Sequence, residues 1–213
     1  MLPPSPLQPN GPHGRPTIVT GVEPTILGSL ANAFLRAHDH QFYAIDVDLR
    51  GTWLPATLPE SANADVVRIR SAWVPGRIEG WLADRRRARL SAFLNQAASS
   101  MGLRTIVVTR SSDRRNGNLH IAALRNDLSA DARSSVRFAL GVQGARVSSG
   151  HDQLAELTAL RHMAEEWDLD LALDLSGDVP HYLEAEAAVL RLLPRLTLVR
   201  IPTWVTRTGE LNT

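Results

Sequence analysis

The stretch HDQLAELTALRHMAEEWDLDLALDLSGDVPHYLEAEAAVLRLLPRLTLVR, residues 151–200, decides the fold. From His151 to Asp168, Leu154, Leu157, Leu160, Met163, Ala164 and Trp167 recur at steps of three and four, the spacing of one helical face. Leu169 to Leu175 is a short apolar run with an acid, Asp174, at its end. Tyr182 to Leu193 predicts a second amphipathic helix, and Leu196 to Ile201 a second strand. Two apolar runs separated by a helix make a βαβ unit with parallel strands, because the helix returns the chain to the same end of the sheet.

The rest of the chain repeats this rhythm. Strands are expected at Thr17–Val22, Phe42–Val47, Asp65–Ala72, Arg104–Thr109 and Val136–Val142. Helices are expected from Thr25 to Ala37 and from Arg77 to Met101, the latter ended by Gly102. Ser111–Asn118 reads as a polar turn, and Leu119–Ser134 as one helix. Leu49–Ala64 is long for a connection and is a candidate lid or binding loop. The pattern predicts an α/β TIM-type barrel with seven strand–helix units and the eighth missing or incomplete. The alternative is an open doubly wound parallel sheet. Residues 1–16, with six prolines, read as a disordered leader, and 17–213 as a single barrel domain.

Composition narrows the chemistry. All 23 basic residues are arginine, so lysine Schiff bases and a phosphate-loop lysine are excluded. There is no cysteine, which excludes thiol nucleophiles, cysteine zinc sites and disulfides. A net charge of +1 points to no nucleic-acid partner. No secretion signal and no apolar run of about 18 residues is seen, so no membrane span and a cytoplasmic location are expected. The arginines Arg85, Arg86, Arg87 and Arg89, with Asp84 beside them, read as a solvated helix face. A strand edge left bare where an eighth strand belongs predicts homo-oligomerisation.

Active sites of such barrels lie at the C-terminal ends of the strands. Asp174 is the foremost candidate, since an acid closing an apolar strand must be paired or functional. A neighbouring arginine such as Arg200 is the expected partner. Glu23 and Asp46, with Asp48, could supply acid–base groups. Arg70, Arg110 and Arg200 could hold an anionic group, while Trp73 and Gln143 line the same end. His38 and His40 flank Asp39 at the opposite end of a barrel, the wrong place for chemistry.

The segments GVEP at 21–24, LANAFLRAHDHQFYAIDVDL at 30–49, SSMGLRTIVVT at 99–109, VRFALGVQG at 136–144, DLALDLSG at 170–177 and LTLVRIPT at 196–203 resemble, in order and rhythm, the xylose-isomerase-like barrels. That superfamily includes sugar phosphate isomerases and epimerases and metal-dependent endonucleases. The resemblance implies a divalent metal held by carboxylates and histidine at the ends of late strands. Of the four ligand positions it implies, Asp174 is kept. Gln143 stands where the fifth strand would present a glutamate, Gly177 where a histidine would follow Asp174, and Arg200 and Thr203 where the seventh strand would present histidine and aspartate. His181 could replace the missing histidine and Glu210 the missing glutamate. A hard divalent ion needs several such ligands, so a tightly bound metal is not expected. The expected function is an isomerase/epimerase-like protein acting on or binding a small sugar or polyol with a degenerate metal site, or a non-catalytic binding or assembly protein on the same fold.

Overall fold

Seven short apolar strands lie side by side in chain order. They are β1 (Thr20–Val22), β2 (Ala44–Asp48), β3 (Arg68–Val74), β4 (Thr105–Thr109), β5 (Arg137–Gln143), β6 (Asp170–Asp174) and β7 (Leu196–Arg200). Every neighbouring pair is parallel, and the sheet order is β1-β2-β3-β4-β5-β6-β7. The computed structural model describes residues 20–22, 30–39, 41–42, 44–50, 58, 65, 67–78, 83–109, 114–143, 151–174, 195–200, 204–205 and 211–212. Helix α1 (Leu30–Asp39) joins β1 to β2, and α2 (Ala83–Ser100) joins β3 to β4. Helices α3 (Arg114–Asp127) and α4 (Ala130–Ser135) join β4 to β5, and α5 (His151–Glu166) joins β5 to β6. A two-stranded antiparallel sheet of β8 (Trp204–Val205) and β9 (Leu211–Asn212) comes after β7.

The doubly wound alternative is overturned. Such a sheet reverses its strand order at a switch point, and this one does not. The sheet also curls. In a flat sheet at about 4.8 Å per strand, the five steps from β2 to β7 would span about 24 Å. Here Arg200 Nε of β7 donates to Asp46 Oδ2 of β2 at 2.8 Å. The strands therefore wrap around an interior that a single guanidinium crosses.

That curl gives two apolar layers. The outer one holds Ile45, Val47, Ile106, Val108, Leu171 and Leu173 of the strands against Leu30 and Phe34 of α1, Leu90 and Phe93 of α2, and Leu160 of α5. Each such buried side chain contributes roughly 1.5–3 kcal/mol. The inner layer is small: Trp73, Val107, Ala139 and Ala172, with Leu198 packed against them. Parity along each strand assigns the faces, except in β3 and β7. In β3 a register shift pairs Ile45 with Ile69 but Asp46 with Ser71, leaving Arg70 as an extra residue. In β7 a second shift pairs Leu171 with Leu196 but Ala172 with Leu198, leaving Thr197 extra. Ile69 and Leu196 belong to the outer layer, whereas Trp73 and Leu198 belong to the inner one. Each extra residue reverses the facing of the residues after it in its strand. The two shifts thus turn Ser71 and Trp73 of β3, and Leu198 and Arg200 of β7, towards the interior.

Some boundaries correct the sequence reading. The polar run Ser111–Asn118 is not a turn throughout, because α3 begins at Arg114. Buried Ile121 and Leu124 supply its periodic face only later in the helix. Leu119–Ser134 is not one helix. Ser129 breaks it, its Oγ accepting from Ala132 N at 3.2 Å as the N-cap of α4, and its N–H donating to Asn95 Oδ1 at 2.7 Å. Arg77 and Ile78 precede the helix rather than start it. Gly102 does end α2, with φ +72°, and Leu103 N–H returns to Ala97 O at 3.1 Å. The leader at 1–16, the helix at 182–193, most of the 49–64 loop and most of the connection after β6 lie outside the described residues. Among the described residues no helix is long and apolar enough to cross a membrane.

The inner layer has no spare room at Gly141. A Cβ there would lie 2.9 Å from both Trp73 Cζ3 and Val107 Cγ1. Gly141→Ala is expected to cost about 1–3 kcal/mol, read from the urea unfolding midpoint. Adding Val107→Ala to it should return part of that loss rather than deepen it.

Candidate functional site

The C-terminal end of the curled sheet carries a buried ionic cluster. Asp46 and Asp48 are two apart in β2, so strand parity puts both on the inner face. Arg50 lies two residues further on the same parity and folds back. Its N–H donates to Asp48 Oδ1 at 3.0 Å, and its Nε reaches both Asp48 oxygens at 2.9 Å. Across the interior, Asp174 ends β6 and is in register with Arg200, which ends β7. Arg200 Nη1 donates to Asp48 Oδ2 at 2.9 Å and reaches Asp174 Oδ2 at 3.5 Å. Its Nη2 joins Nε on Asp46. Arg50 Nη2 meets Asp48 again and lies 3.2 Å from Asp174 Oδ2. The remaining oxygen of Asp46 accepts from Ser71 Oγ at 2.6 Å.

Trp73 forms the floor. It is fully buried, and the Arg200 and Arg50 guanidinium carbons lie 4.4 Å and 5.2 Å from its ring centroid. Stacking of this kind suits a planar, weakly hydrated cation.

Burial makes these pairings obligatory. Asp46, Asp48 and Asp174 are each 5% exposed or less, and an unpaired carboxylate there would be very costly. Among the described residues three carboxylates meet two guanidiniums. Burial pushes the Asp46 carboxyl above the ordinary aspartate range, although Arg200 and Ser71 pull the other way. At Asp48 burial again works upward, but the hydrogen bonds and charge of Arg50 outweigh it, and the carboxyl sits below the ordinary range. Burial works to lower the basicity of both arginines, and their aspartate partners more than offset it, so both stay charged.

A divalent ion does not fit this donor set. Both oxygens of Asp46 and of Asp48, and Oδ2 of Asp174, already accept from a guanidinium or hydroxyl. A metal placed among them would sit beside two fixed positive charges. Among the described residues, no group of three histidines, cysteines or acids is arranged to hold a metal ion.

Of the residues expected from the sequence, Asp46, Asp174, Arg200 and Trp73 come together, and Asp174 pairs with Arg200. Gln143 is in register with Asp174 on β5. Arg70 does not join them. It is the extra residue of the β3 register shift, in the half of the strand away from the mouth. Glu23, Arg110, His181 and Glu210 lie outside the described residues. Arg50 and Ser71 were missed. The spacing Asp46-x-Asp48-x-Arg50 was a usable signal for Arg50, whereas the register shift hid Ser71. On α2, Arg85, Arg86 and Arg89 are exposed, and Arg87 pairs with Asp127 at 3.3 Å.

No protein-family model matches this chain, and no curated protein matches it in sequence. Among solved structures, its fold is similar to that of 3-keto-D-glucoside 4-epimerase YcjR from E. coli in the apo form. The two are 16% identical over 88% of this chain and 79% of that one, with a TM-score of 0.56. The probable 3-DHS dehydratase AsbF, involved in petrobactin synthesis in Bacillus anthracis, is 11% identical over 85% of this chain and 72% of that one, with a TM-score of 0.49. The likeness to the epimerase is one of fold alone.

The opposite shifts of Asp46 and Asp48 predict a hump in stability against pH. The folded-state carboxyl of Asp46 is raised, so its penalty is fully present above that raised value and relieved as pH falls towards the ordinary aspartate range. The depressed Asp48 contributes stability that is full above its unfolded value and lost as pH falls through its folded value. Urea unfolding of the full chain and of Asp46→Asn between neutral pH and about pH 3 should differ in one respect. Asp46→Asn should lack the rise on the acid side and keep the final fall.

Proposed function

We propose that this chain is a sugar isomerase/epimerase-like barrel that binds a small neutral sugar or polyol at the mouth of the sheet. In this reading Arg50 and Arg200 stand where the resembling barrels place a divalent cation, so that the metal site is degenerate and the site is metal-free. The observation that carries it is the cluster itself: three buried aspartates at strand ends, committed to two guanidiniums over a tryptophan floor. The similar fold of an epimerase that acts on a keto-glucoside supports the substrate class.

The chemistry rests on the residues in place. Asp46, its carboxyl raised by burial, is the acid–base group, with Asp174 and Glu23 as further carboxylates. One carboxylate takes a proton from a carbon beside a carbonyl, and the proton returns to that carbon or its neighbour. Trp73, beneath the two guanidiniums, and Gln143, in register with Asp174, complete the proposed substrate-binding set. Arg110 stays in the substrate-binding set as part of the proposal, and Arg70 leaves it. The seven-unit barrel lacking an eighth unit, and a cytoplasmic location, belong to the same reading. A second reading is favoured by the saturation of the carboxylates: a protein that binds a sugar on this fold without turning it over.

The test uses the full chain in the presence of a chelator, with a panel of neutral aldoses, ketoses and polyols in deuterated water. Saturation-transfer NMR should detect binding of at least one of them, and the bound sugar should gain carbon-bound deuterium. Asp46→Asn should stop deuterium uptake. Binding without deuterium uptake would replace the catalytic reading by the binding one. No binding across the panel would overturn both.

A further inference from the structure

Two donors at the cluster are left unmade. Trp73 Nε1 and Arg50 Nη1 are buried, and neither has a hydrogen-bond partner among the described residues. Trp73 is 0% exposed. Indole N–H and guanidinium N–H can only donate, so neither can be satisfied by another donor. Unmet buried donors are rare in folded proteins because the lost hydration is not replaced. Here two of them belong to residues in contact with each other, since the Arg50 guanidinium lies over the Trp73 ring at 5.2 Å. The remaining N–H groups of Arg50 are spent on Asp48 and Asp174. The Cε3–Cζ3 edge of Trp73 abuts the wall at Gly141, and Nε1 is on the opposite edge of the indole.

We propose that Trp73 Nε1–H and Arg50 Nη1–H form a subsite that takes the carbonyl oxygen of a neutral keto or aldehyde sugar. The inference rests on the sugar-binding reading above and adds the group that is recognised. A carbonyl oxygen accepts two hydrogen bonds and donates none, which matches two donors. Among the described residues the three aspartates outnumber the two arginines, which disfavours an anionic acceptor. A hydroxyl brings a proton that this pair of donors cannot accept. Arg50 then does for the carbonyl what a cation would do. It draws electron density onto the oxygen and stabilises the enolate formed when a carboxylate removes the neighbouring C–H proton. The C–H electron pair becomes the carbon–carbon double bond, the carbonyl π pair moves to oxygen, and the proton returns from the carboxylate in the reverse step.

The experiment compares dihydroxyacetone with glycerol, which has a hydroxyl where the other has a carbonyl, on the full chain with chelator present. Dihydroxyacetone should bind about tenfold more tightly, as one charge-assisted hydrogen bond implies. Its carbonyl stretch, read by isotope-edited infrared difference spectroscopy, should shift to lower frequency on binding. Trp73→Phe keeps an aromatic floor and removes only the N–H donor, and should cut the preference several-fold. Equal binding of the two probes with no carbonyl shift in the unmodified protein would overturn the subsite while leaving the sugar-binding reading standing. Failure of both probes, together with failure of the wider sugar panel, would remove the reading on which the subsite rests. The infrared shift needs no substitution, so a Trp73→Phe chain that fails to fold would not shelter the proposal.

Discussion

One guanidinium holds the two sides of this sheet together. Arg200, at the end of β7, contacts Asp46 and Asp48 on β2 and Asp174 on β6. A curled parallel sheet must fill its interior or collapse. Here the lower interior holds one tryptophan among small side chains, and the upper interior holds charge. The charge is tolerable only because each carboxylate meets a cation at hydrogen-bonding distance and the cations stack on Trp73. Removing either sign alone would strand the other in a water-poor site.

The geometry that aims these groups is a matter of one residue in each of two strands. Without Arg70 as an extra residue, Ser71 and Trp73 would face the helices. Without Thr197, Arg200 would do so. A register shift in a strand beside a site commonly re-aims a side chain. Gly141 completes the arrangement from the opposite wall, because only a residue without Cβ leaves space for the indole. Floor, clamp and wall therefore come from β3, β7 and β5, and the acids from β2 and β6.

Much of the fold was legible in the sequence, since short apolar runs alternating with helical periodicity identify a parallel α/β sheet. Its curl was less legible, because periodicity says nothing of where a sheet bends. The site was half legible. Asp46, Asp174, Arg200 and Trp73 stood out as polar or aromatic groups closing apolar strands. Arg50 fell in a stretch read as a loop, although its parity with Asp46 and Asp48 marked it. Ser71 and the exclusion of Arg70 depended on a register shift that leaves no trace in alternation alone. Ser129 was legible in principle as a cap, yet the apolar spacing on either side of it suggested a continuous helix.

The ionic cluster also separates fold from chemistry. The two arginines keep the acids hydrogen-bonded and leave two N–H donors buried beside them. All of this depends on Arg200 crossing from β7 to β2. A double-mutant cycle in urea between Arg200→Met and Asp46→Asn measures that contact directly, although the two residues are 154 apart in sequence. A coupling of at least about 1 kcal/mol is predicted, within the range for residues in one ionic network. Costs that simply add, to within about 0.5 kcal/mol, would mean that the two side chains do not meet, and would contradict the account.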